Sequence, residues 1–152
     1  MAGMARNLKA GLIALAVAIG ACQAEDSMQV TLDKPAVVTA KPATAAMLGG
    51  AEIGARRVLL SVVGYTPPAD KKPVDIVVRV VLAGGGRREV GRFAIMPAAP
   101  FGTADAGRHQ NFAFALPADI AGEKTLSLEV ALVPVSGGGQ GARLEVGSAA
   151  VH

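Results

Sequence analysis

The chain has no tryptophan, one tyrosine, four phenylalanines, one cysteine and two histidines in 152 residues. A single thiol, Cys22, excludes an internal disulfide, so stability must come from packing. So few aromatic rings exclude the flat aromatic platforms of carbohydrate-binding sandwiches and leave small branched side chains, mostly Ala and Val, to build the interior. Such residues suit strands better than helices. Acidic and basic residues nearly cancel. The formal charge is +3, but Arg6 and Lys9 precede an apolar leader, and without them thirteen basic residues face twelve acids. That weak, scattered charge gives no footprint for a nucleic-acid backbone. No apolar run approaches the roughly 20 residues that a membrane-spanning helix requires.

The leader is informative. Arg6 and Lys9 stand before the apolar stretch Ala10 to Ala21, the charged start and short hydrophobic middle of an export signal. It ends in Ile19-Gly20-Ala21-Cys22, which resembles the bacterial lipobox: an aliphatic residue, two small ones, and a cysteine whose sulfur is alkylated by a diacylglycerol before the chain is cut ahead of it. Small residues let the segment enter a membrane peptidase in extended form, and only a thiol is nucleophilic enough for the alkylation. Residues 1–21 are therefore expected to be a signal peptide with the lipobox at 19–22, and Cys22 the site of lipidation. The alternatives are a plain signal cut near Ala24, discarding Cys22, and an uncleaved anchor; each exports the chain. The expected location is the cell envelope, on the exported side of a bacterial membrane. Gln23 stands where an aspartate would favour retention at an inner membrane.

Residues 22–55 are rich in Ala, Pro, Thr and Gly and read as a semi-extended tether, with one short strand possible at "MQVTLD". Strand periodicity sharpens over 56–152. In "VDIVVRVVL" the residues Val74, Ile76, Val78, Val80 and Leu82 share a face; in "FAFAL" it is Phe112, Phe114 and Leu116; in "TLSLEVAL" it is Leu126, Leu128, Val130 and Leu132, with Glu129 on the polar side. Gly84-Gly85-Gly86 and Ser136 to Gly141 read as tight hairpin links, and Gly91 as a bulge. Leu116 to Glu123 reads as a single turn of helix at most. The expected fold is all-β, an antiparallel β-sandwich of about seven strands behind an extended N-terminal tether.

Sites of chemistry are scarce. After removal of the leader the histidines, His109 and His152, lie far apart in sequence; His109 is the one weak metal candidate, with Met28, Met47 and Met96 as potential soft ligands. Thr103, Asp105 and His109 share one loop, but no nucleophile elbow accompanies them. "AGGGRR" lacks the Lys-Ser/Thr pair of a phosphate loop and reads as a hairpin with solvated Arg87 and Arg88. Tyr65, in "GYTPP", is read as displayed on a loop, either an exposed contact residue or a lid over the sandwich edge. No cofactor is expected, and no enzymatic activity.

The order of elements resembles a known family. "RRVLLSVVG", "PVDIVVRV", "EVGRFAIMP", "FAFALPADI", "LSLEVALVPVSGG" and "LEVGSAAV" are similar to the C-terminal domain of plant-type polyphenol oxidases of the tyrosinase family. Pro73-Val74-Asp75-Ile76 stands where that family has a Lys-Phe-Asp-Val stretch, with Val74 in place of Phe. Gly91-Arg92-Phe93 matches a Gly-x-Phe after a hairpin, and Leu132-Val133-Pro134 with Gly137-Gly138 matches the end of a late strand. The resemblance runs from Arg56 to Val151. It implies a β-sandwich that covers a dicopper site and holds the enzyme latent with an apolar or aromatic plug. The dicopper domain needs six histidines, so the oxidase activity does not transfer. What transfers is the sandwich and a covering role toward a separate partner, a tyrosinase-like copper oxidase, with Tyr65 the candidate contact. The other reading is an envelope lipoprotein with a structural or adhesive role and no oxidase partner.

Overall fold

The computed structural model describes residues 27–43 and 56–152. The leader, the lipobox and Cys22 lie outside the described residues, as do Met47 and the rest of 44–55. Eight strands follow one another: β1 (Met28–Thr31), β2 (Ala36–Pro42), β3 (Arg57–Thr66), β4 (Val74–Val81), β5 (Arg87–Phe93), β6 (Gln110–Ala115), β7 (Leu126–Pro134) and β8 (Arg143–Val151). The fold is all-β, as expected.

Two sheets are joined through β2. One runs β5-β4-β7-β2, the other β8-β3-β6 with β1 on the free side of β8. Ala36 to Ala40 pair antiparallel with β7, then Lys41 and Pro42 pair parallel with Ala150 and Val151 of β8, so one strand changes sheets between Ala40 and Lys41. Every other strand pairing is antiparallel. The span 28–42, expected as tether, is therefore part of the sandwich: Val30, Val38 and Ala40 are buried in its core. "MQVTLD" does contain a strand, β1; β2 was not anticipated.

The core follows the period of the sequence. Val74, Ile76, Val78 and Val80 of β4 face Leu60 and Val62 of β3 and Leu128 and Val130 of β7 in one apolar cluster. Leu82 departs from the expected face. The strand ends at Val81, and Leu82 enters the turn closed by Gly85, at φ +81°, where it is 37% exposed. The bulge at Gly91 is present: Val78 pairs with Gly91 and Arg79 with Glu89, leaving Val90 as the extra residue. The second glycine-rich link is not a hairpin. It carries the chain from β7 in one sheet to β8 in the other, and the two strands are not paired.

The second seam between the sheets, where β5 and β6 are edge strands, is closed by side chains. The Phe93 and Phe112 rings stack with centroids 3.7 Å apart, and Phe114 lies 5.7 Å from Phe93. Leu116 to Glu123 forms turns held by Pro117 carbonyl contacts to the Ile120 and Ala121 amides at 3.0 and 2.9 Å. A single 3₁₀ turn, Ala106–Arg108, precedes β6.

Candidate partner-binding cleft

Tyr65 is not displayed on a loop. It ends β3 in the core, 4% exposed and opposite Leu144 of β8. The cause is a pair of register shifts: Val62 meets Val146 and Gly64 meets Glu145, so Val63 on β3 and Gly147 on β8 drop out of the pairing. One extra residue inverts the alternation, and Tyr65 turns inward where plain period-2 counting from Val58, Leu60 and Val62 turns it outward. Burial pushes its phenol pKa above the ordinary value.

Although buried, Tyr65 lines a cleft of about 460 Å³ at the end of the sandwich where β3 finishes and β8 begins. Two connections form its walls. Pro67, Pro68 and Pro73 come from the β3–β4 link, and Met96, Ala99 and Pro100 from the β5–β6 link. Proline has no backbone N–H to offer a ladder, so Pro67 and Pro68 stop β3 and Pro73 stands just before β4. Lys71 and Lys72 stand on the first wall. The Lys72 amide donates to an Asp70 carboxylate oxygen at 3.1 Å.

The second wall is pinned from behind. Tyr65 and Phe101 exchange backbone hydrogen bonds of 2.9 and 3.0 Å. The Arg108 guanidinium donates to the carbonyls of Pro100 at 2.7 Å and Ala99 at 3.2 Å, and sits 5.3 Å from the Phe101 ring centroid. Gln110 Nε2 donates to the Met96 carbonyl at 3.2 Å. These bonds hold the backbone of 96–101 while leaving the Met96 side chain 73% exposed, the largest exposure of any large apolar residue described. The cleft is thus a held, mainly apolar surface with two ammonium groups at its edge.

The other predicted residues do not converge on it as a reactive set. Asp105 accepts from the Gly102 amide at 2.9 Å, a loop-closing contact, and His109 follows the 3₁₀ turn with its amide bonded to the Ala106 carbonyl. His109 Nε2 is buried without a hydrogen-bond partner, and so is His152 Nε2. His152 stands at the far end of the sandwich, where its backbone pairs with Arg57. Among the described residues no three His, Cys, Asp or Glu side chains gather as a metal site. The cleft itself was signalled by the prolines at 67, 68 and 73 and at 97 and 100, but their meeting depends on the sheet order.

No family model matches the chain, and no curated protein matches it. Among solved structures it is similar to a chain of "Structure of infectious bursal disease virus Gx strain", with a TM-score of 0.33 and 14% identity. The match covers 82% of this chain and 28% of the viral one, and likeness at that level carries no argument about function.

Proposed function

We propose that this chain is a non-catalytic exported lipoprotein, anchored through acylated Cys22, whose β-sandwich binds and shields a partner protein at the proline-walled cleft. The observation that carries this reading is an apolar cleft floored by Tyr65, its second wall hydrogen-bonded from behind and Met96 exposed on it. Met96 adds its exposed side chain to the apolar lining of the cleft, so the surface a partner would cover is a continuous concave one and not a lone residue. The proposed partner is a tyrosinase-like copper oxidase, on the resemblance of Arg56 to Val151 to the covering domain of polyphenol oxidases.

A photoactivatable side chain at position 96 in the full-length lipoprotein, expressed in its native cell, tests the reading. Covalent capture of a copper oxidase, reduced about tenfold by Tyr65→Ala in the same cells, is the expected result. Reproducible capture of some other protein would remove the oxidase and keep the cleft. Absence of any captured protein would leave the structural or adhesive envelope role as the better account.

A further inference from the structure

We infer that the cleft selects an extended partner segment in which an apolar side chain stands close to an aspartate or glutamate, the apolar group seated between the proline walls and the carboxylate met by Lys71 and Lys72. The inference rests on the partner-binding reading of the cleft and adds the chemistry of the segment it takes.

Backbone recognition is closed off first. Pro67, Pro68, Pro73 and Pro100 have no N–H to give. Carbonyls along the walls are already accepting: Pro68 from the Lys71 amide at 3.0 Å, Pro73 from the Val135 amide at 3.0 Å, Met96 from Gln110, and Ala99 and Pro100 from Arg108. On the floor, Tyr65 exchanges both of its backbone groups with Phe101. These positions give a bound segment no ladder to join, so strand addition would not hold it. Recognition falls to side chains.

Side chains of two kinds remain. Tyr65, Ile95, Met96 and the prolines are apolar, and among the described residues Lys71 and Lys72 are the only charged ones that line the cleft. Neither makes an ion pair among the described residues. Asp70, next in the chain, accepts from the Lys72 amide and offsets one of the two charges at most, which leaves this wall net positive. The wall is also fixed. Lys71 holds a left-handed backbone, at φ +54°, that a residue with a side chain adopts at a cost. Around it the turn is tied to the β7–β8 link by the Ala69 amide on the Gln140 carbonyl at 2.9 Å and by the Val135 bond to Pro73. Both lysine stems therefore leave from held backbone.

A cleft of about 460 Å³ admits a short extended segment rather than a domain. A basic segment is repelled there, and a wholly apolar one leaves two ammonium groups unanswered at its edge. A segment that carries a carboxylate beside its apolar group satisfies both parts of the lining. Charge complementarity at the edge of a contact sets partner choice and register more than affinity. Lys71 and Lys72 are thus the selecting residues, and Tyr65 and Met96 the apolar anchors.

The full lipoprotein with a photoactivatable side chain at position 96, expressed in its native cell, tests this when the partner fragment attached to it is sequenced by mass spectrometry. That fragment should carry Asp or Glu within about three residues of the attachment point, roughly 10 Å of extended chain. The Lys71→Glu/Lys72→Glu variant should lower capture about tenfold, while Lys71→Arg/Lys72→Arg should keep it within about twofold. Both positions are exposed, and thermal melts check that each variant is folded; the composition of the fragment is read with the native lysines in place and stands without the variants. Capture that survives charge reversal, falls equally in the arginine pair, or lands on a fragment with no nearby acid overturns the inference and leaves the cleft as a partner site. Absence of any capture overturns the partner-binding reading and the inference with it.

Discussion

The ring of Phe114 occupies the space that a side chain on Gly91 would fill: a Cβ built at Gly91 would collide with Phe114 Cδ1 and Cε1. Gly91 is thus required by close approach across the β5–β6 seam, where no ladder joins the two edge strands. Gly91→Ala should cost about 1–3 kcal/mol, the usual range for overpacking a filled site. Denaturant unfolding measures it. In a double-mutant cycle, Phe114→Leu should cost clearly less in the Gly91→Ala background than alone, because the collision is already relieved. Additive effects would mean that the two residues do not touch.

The buried phenol of Tyr65 makes stability fall at alkaline pH. Its folded pKa is raised, by burial, above the unfolded value near 10. Below the unfolded value both states hold the proton and the contribution is fully present. As pH climbs from there through the folded value, the unfolded chain ionises first and stability is lost. Tyr65→Phe should flatten this alkaline loss. Since Tyr65 is the only tyrosine and there is no tryptophan, absorbance at the phenolate band follows the titration directly. A midpoint at the free-tyrosine value would contradict the burial.

Glu129 should behave as a shared ligand of two arginines. It lies on the outer side of β7, yet its side chain is only 7% exposed, held by Arg79 at 3.1 Å and Arg87 at 2.5 Å. Removing either arginine leaves the other in place and should cost under about 1 kcal/mol, given their contact with water. The Arg79→Ala/Arg87→Ala double variant strands a buried carboxylate and should cost up to about 3 kcal/mol, more than the two single losses together. Thermal melts of the four proteins at neutral pH decide it.

What the sequence made legible was whatever depended on neighbours within one strand. Val74, Ile76, Val78 and Val80, and Leu126, Leu128, Val130 and Leu132, alternate without interruption, and each of them is buried. Contacts set by distant partners were not legible. Glu129 reads as a solvated residue because the arginines that cover it are 50 and 42 positions away. Tyr65 reads as displayed because the slip that turns it inward involves Gly147 on another strand as much as Val63 on its own. The cleft follows suit, since its two proline clusters meet only when β3, β4 and β5 are in place.

β2 was hidden for a different reason, and its membership of the core gives the sharpest test of the domain's limits. Its inward residues are modest, Val38 and Ala40, while the outward Val37 is 52% exposed, so the hydrophobic pattern is nearly flat; Lys41 and Pro42 complete the look of a linker. Yet it joins the two sheets. Val38→Ala should therefore destabilise by about 1–2 kcal/mol and Val37→Ala by no more than about 0.5 kcal/mol. Deleting 23–43 should abolish cooperative unfolding altogether, because it strips Val30, Val38 and Ala40 from the interior and bares the edges of β7 and β8. A tether would tolerate that deletion. Retention of a sharp melt by the shortened chain, together with equal effects at positions 37 and 38, would place the start of the domain at Arg56 after all.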